Sequence, residues 1–181
     1  MTRRTAASIL ALEGETPASS PEVEAEHITV RTSLSNDVAF PGNRITIVVD
    51  IEVGKGFHAY APGSRSYQAL ELRLEPQPLL SFGEAVYPPS RPYLFRPLNE
   101  VVPVFEGRIR LVRDVILAGG REMAELLRSE EPALTIRGHL HYQVCSDTVC
   151  YPPRALPLSW TVKVRPLERE RPPEALRRST R

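Results

Sequence analysis

Several things are scarce in this chain of 181 residues, and each scarcity excludes a class of protein. Its apolar stretches, such as residues 45–49, fall far short of the roughly 20 residues that cross a bilayer as a helix, so no segment is expected to span a membrane. Neither sign of charge dominates: 23 Lys+Arg stand against 22 Asp+Glu and leave +1. Binding to DNA or anionic lipid by bulk electrostatics needs a basic surplus that displaces counterions, so nucleic acid is not an expected partner. The N-terminus carries basic residues and then a mildly apolar run, but residues 6–12 reach only the lower limit of a signal-peptide core and Glu13 breaks them at once. An export signal is therefore not expected within this chain. Cysteine is limited to Cys145 and Cys150, too few and too close in sequence for a framework of staples. If paired, they close one small ring.

What is present fits one soluble domain with some tail: 41% of residues are hydrophobic and 25% charged. Eighteen prolines and ten glycines, against one Trp and two Met, point to short elements with frequent turns, hence to a β-rich fold. Alternation of apolar and polar residues, the mark of a half-buried strand, recurs along the chain. Ile45, Ile47, Val49, Ile51 and Val53 share one face; Leu70, Leu72 and Leu74 alternate with Glu71, Arg73 and Glu75; Ile109 and Leu111 alternate with arginines. Ile28 and Val30 make a weaker strand, while residues 134–144 and 156–164 predict two long ones. Residues 121–130 (REMAELLRSE) lack Gly, Pro and β-branched side chains and predict a short helix that Pro132 stops. Strands at this spacing fit an antiparallel sandwich of immunoglobulin-like type, with a barrel as the alternative. The domain is expected over 27–164, preceded by a leader and linker at 1–26 and followed by a charged, Pro-rich, aromatic-free tail at 165–181.

Chemistry is concentrated in Tyr142-Gln143-Val144-Cys145-Ser146-Asp147-Thr148-Val149-Cys150-Tyr151-Pro152-Pro153, between the last two predicted strands. Four intervening residues permit a disulfide only if the chain turns back, and Ser146-Asp147-Thr148 suit a turn. So small a ring restricts the unfolded chain by only about 2 kcal/mol, a thin reason for the pair on stability alone. Three readings stand open. One is thiol–disulfide exchange, in which one thiol attacks a partner's disulfide and the other resolves the mixed species. Another is an inert hairpin staple in an immunoglobulin-like binding module. The last is a copper site of His139, His141 and Cys145 on one strand face. Strand parity carried on from Leu134 puts Cys145 on the outward face with His139, His141 and Gln143, within reach of a partner thiol. Tyr142, Tyr151 and the two prolines form an expected apolar collar, and neither that collar nor Asp147 inside the ring activates a thiolate.

The string Tyr142-Gln143-x-Cys145-x4-Cys150-Tyr151-Pro152-Pro153 closely resembles the active-site segment of the N-terminal domain of the thiol:disulfide interchange protein DsbD. Gly56-Phe57-His58-Ala59-Tyr60 resembles that family's aromatic segment after an early strand, and residues 104–111 resemble the strand after its cap loop. The resemblance implies an immunoglobulin-like sandwich, without cofactor or metal, that passes electrons by thiol–disulfide exchange between a thioredoxin-fold or redoxin donor and oxidised proteins of the periplasm or cell envelope. It implies Cys150 as the attacking thiol and Cys145 as the resolving one. It also implies a shielding cap within residues 91–100, with Tyr93 or Phe95 as the covering ring and Asn99 and Glu100 as its polar residues. His58 and Tyr60 fall where the family has tyrosines, so His58 is a departure. Residues 4–10 resemble the last helix of a redoxin domain, which makes the chain the C-terminal module of a fusion; a disordered leader is the alternative.

Overall fold

The computed structural model describes residues 22–64, 66–96 and 99–167. The expected redoxin-like leader and most of the expected tail lie outside the described residues. Thirteen strands follow one another: β1 (Glu22–Ala25), β2 (Ile28–Leu34), β3 (Val38–Ala39), β4 (Arg44–Val53), β5 (His58–Tyr60), β6 (Glu71–Leu74), β7 (Leu80–Val86), β8 (Arg91–Phe95), β9 (Glu100–Phe105), β10 (Arg108–Leu117), β11 (Ala133–Tyr142), β12 (Val144–Cys145) and β13 (Arg154–Val164). They form a five-stranded sheet in the order β1-β2-β4-β10-β7, a four-stranded sheet β3-β13-β11-β6, and a small sheet β12-β5-β9-β8. All pairings are antiparallel except that of β3 with β13. The fold is the all-β, immunoglobulin-like sandwich that alternation predicts.

The first two sheets bury their apolar faces in one core. Ile47 and Val49 of β4 and Leu111 of β10 come from one sheet, and Leu72, Ile136 and Val162 from the other. Such alternation is stable because each strand removes one row of side chains from water while the other row stays solvated. The outer row of the first sheet carries charge in cross-strand pairs: Arg31 reaches Glu22 at 2.9 Å, and Arg110 reaches Asp50 at 2.7 Å in the register β4 sets with β10. The near-equal numbers of acids and bases are in part spent on one another.

The first described strand, β1, pairs with β2 from Glu22 opposite Arg31 to Ala25 opposite Ile28. The short helix expected within residues 121–130 is a single 3-10 turn, Leu126–Arg128, preceded by further turns. Its start has no side-chain cap and Met123 is its sole fully buried anchor, so so short a segment lacks what would offset helix nucleation. Residues 104–111 are not one strand: Glu106 and Gly107 make a turn, with Gly107 at φ 65°, that joins the end of β9 to the start of β10.

Candidate functional site

The long strand β11 ends at Tyr142, and Gln143 marks a change of sheet. Beyond it, Val144 and Cys145 leave the β13 partner and pair with Ala59 and His58 of β5. The Gln143 side chain holds this junction: its carbonyl accepts the Gln68 N–H at 3.0 Å and its amide donates to the Tyr151 carbonyl at 3.0 Å. Alternation carries on across the break, with Val144 facing the sandwich core and Cys145 the opposite way, but that face is covered by Tyr60, Val102 and Val104, so Cys145 is fully buried instead of open to a partner thiol as expected. The copper grouping fails with it, since the two histidines stay on β11 while Cys145 belongs to the small sheet, and no cluster of three metal-ligating groups occurs among the described residues.

Cys145 and Cys150 are joined in a disulfide, with Cα atoms 4.1 Å apart. The expected turn makes this possible. Ser146 N–H donates to the Val149 carbonyl at 2.8 Å, Tyr151 N–H to the Val144 carbonyl at 3.0 Å, and the Ser146 hydroxyl accepts from the N–H of Val149 at 3.0 Å. The two cysteines differ in access: Cys145 is buried and Cys150 exposed.

The small sheet has two unlike faces. Ala59, Phe105 and Val144 point into the sandwich core, whereas Tyr60, Val102, Val104 and Cys145 form a second cluster with Tyr67 and Tyr93 packed on it. The Tyr60 hydroxyl lies 3.1 Å from Cys145 Sγ and 3.5 Å from Cys150 Sγ. A disulfide sulfur carries no proton, so Tyr60 is the donor in both contacts. Burial pushes the Tyr60 phenol far above its ordinary value, with Tyr67 adding to the effect, so it stays protonated and able to donate. Tyr67 stacks on Tyr60 at 4.1 Å between centroids, and Phe95 meets Tyr67 edge-on at 6.1 Å. Tyr93 covers His58 at 4.2 Å and donates its hydroxyl to Asp147 Oδ1 at 2.9 Å, tying β8 to the turn between the cysteines. Burial, and then that contact, push the Tyr93 phenol up.

The residues singled out from sequence thus divide. Tyr60 contacts both sulfurs, His58 and Tyr93 lie against each other beside it, and Phe95 joins the group through Tyr67. Tyr142 lies in the sandwich core and Tyr151 packs on its other side, against His27 at 4.3 Å and Phe57 at 6.0 Å. Asn99 closes the β8–β9 connection at φ 50°, its N–H reaching the Arg96 carbonyl at 3.2 Å, and Glu100 opens β9. Tyr67 and Gln143 also belong to the site, and neither carries a clear mark in the sequence. Tyr67 sits in a loop with no periodicity to mark it, while Gln143 stood in the cysteine string, where its spacing from Tyr151 was the available signal.

The family model described as "Thiol:disulfide interchange protein DsbD, N-terminal" matches residues 30–157. Among solved structures, the reduced DsbD N-terminal domain of Neisseria meningitidis is 17% identical at a TM-score of 0.43, covering 70% of this chain and 85% of that one. The N-terminal periplasmic domain of ScsB from Proteus mirabilis is 12% identical at a TM-score of 0.49, covering 80% of this chain but 51% of that one. The search of curated proteins finds no match.

Proposed function

The chain belongs to the family of DsbD N-terminal domains, and on that premise we propose that it relays electron pairs between protein partners by thiol–disulfide exchange at Cys145 and Cys150. The observation that carries this reading is the disulfide itself, whose Cys150 is exposed while Cys145 lies buried under Tyr60 and the side chains of the β8–β9 hairpin. A ring of this size stabilises by only about 2 kcal/mol, too little to account for so elaborate a surround.

In the accepting direction, a thiolate of a thioredoxin-fold or redoxin donor attacks the sulfur of exposed Cys150. A new interprotein S–S bond forms, the Cys145–Cys150 bond breaks, and its electron pair leaves on Cys145. The donor's second thiolate then attacks its own sulfur in the mixed disulfide and releases Cys150, so that the donor leaves oxidised and this chain holds two reduced sulfurs. In the donating direction Cys150 attacks an oxidised partner and Cys145 resolves. Tyr93 and Phe95 are the rings the partner would displace, and Tyr60 holds a proton ready for the sulfurs. The periplasm or cell envelope, where oxidised client proteins persist, is the compartment that suits this chemistry.

Trapping tests the relay. Reduced Cys145→Ser protein is expected to accumulate a mixed disulfide through Cys150 with an oxidised thioredoxin-fold protein, while Cys150→Ser accumulates none. The midpoint of the pair is expected above about −300 mV, the level below which structural bridges resist reduction. No trapped complex, together with a midpoint far below that level, would leave the pair as a hairpin staple.

A further inference from the structure

Among the groups around the sulfurs, His58 is 3% exposed and its Nε2 has no hydrogen-bond partner among the described residues, although an orphaned buried nitrogen is costly in a folded protein. Its position is specific as well. His58 stands directly opposite Cys145 in the β5–β12 ladder, and residues so paired project from the same face with Cβ atoms roughly 4.5–5.5 Å apart.

We propose that His58 is the proton acceptor of the reduced site, taking up a proton when Cys145 is released and so holding that sulfur as a thiolate paired with an imidazolium. This inference rests on the relay reading and deepens it. In the oxidised protein the imidazole is neutral. Burial pushes it below its ordinary value, and the carboxylates of Glu106 and Asp147 only partly oppose that. Its other neighbours are the edge of Tyr60 at 5.7 Å and the ring of Tyr93 at 4.2 Å, with Lys55 on the rim of the same cavity.

Reduction changes this balance at one point. When the donor's thiolate forms its bond to Cys150, the departing electron pair places a full negative charge on Cys145, which is buried where an unpaired charge is costly. Among the described residues, the Tyr60 hydroxyl contacts both sulfurs, and His58 adds an unpaired nitrogen across the ladder. The proton account closes. A donor dithiol supplies two electrons and two protons and departs as a disulfide, one proton ends on Cys150 as a thiol, and the other ends on His58 in place of Cys145. A tyrosine at position 58, as in the family, supplies a hydroxyl that donates a hydrogen bond but accepts no proton at neutral pH.

The test reads the ionisation of Cys145 in reduced full-length Cys150→Ser protein, by the ultraviolet absorbance of the thiolate against pH, with and without His58→Phe. His58→Gln is the second variant, polar and uncharged, for the case in which Phe disturbs the fold. With His58 present, the thiolate is expected to persist to a pH lower by at least about one unit, equivalent to a tenfold or greater fall in Cys145 alkylation rate at fixed pH when His58 is replaced. Coincident titration curves in the parent and either folded variant would overturn the assignment. Trapping by Cys145→Ser protein is read separately: if it succeeds while the curves coincide, the relay stands and His58 has no part in it, and if trapping fails the relay itself is lost.

Discussion

At the scale of single residues, the site is organised by groups that are buried and polar together. Tyr60 is the clearest, because its hydroxyl donates to both sulfurs from a position with no access to water. Tyr60→Phe removes that donor while keeping the stack on Tyr67, and we expect it to cost the oxidised protein about 0.5–1.5 kcal/mol in urea unfolding. His58 gives a pH dependence whose sign follows from its depressed folded-state value. As pH falls below about 6.5, the unfolded chain takes up a proton that the folded, oxidised chain refuses, so the unfolded state binds more protons and stability declines. The loss stops growing once pH is below the folded-state value, and nothing is contributed above about 6.5. Denaturation of the oxidised protein between pH 8 and pH 5 should show this decline, and His58→Phe should flatten it.

At the scale of elements, strands were legible where one face meets the core. Every inward residue of β4, from Ile45 to Val53, is buried, and β11 and β13 keep their predicted alternation. β7 and β8 were not legible, because each runs along a sheet edge, β8 carries Pro92, and their side chains are half-exposed with no sustained alternation. The cysteine string was legible as chemistry and in its parity but not in its burial: alternation sets Cys145 opposite Val144, while the side chains that cover it, Tyr60, Val102 and Val104, come from distant parts of the chain. The β6–β11 pair offers a sharp test. An added Cβ at Gly138 would collide with the Arg73 carbonyl and come within 2.8 Å of Leu74 Cδ2. Because backbone is the obstacle, Gly138→Ala should cost about 1–3 kcal/mol, visible as a lowered urea midpoint with an unchanged slope.

For the molecule as a whole, the sulfur site is an addition to a sandwich that does not need it. The main core draws on both large sheets and contains neither cysteine, whereas Cys145 belongs to the separate cluster under β8 and β9. Reduction of the disulfide should therefore leave the far-ultraviolet circular dichroism of the protein intact and lower its stability by about 2 kcal/mol, the amount expected for so short a ring. A collapse of the spectrum on reduction would instead make the bond a structural requirement. Net charge near zero fits the same division, since cross-strand ion pairs line the outer face of the large sheet while the sulfurs lie among aromatic rings.

The small sheet is a partition one residue thick, with sulfur chemistry on one side and the packed interior on the other. Ala59 stands between His58 and Tyr60 yet projects the opposite way, and it is 1% exposed. A larger side chain there, such as valine, touches neither sulfur, but having no room to expand inward it must shift the backbone that aims both rings. Tuning of the redox centre is thereby open to substitutions buried behind it, out of sight of any docking protein.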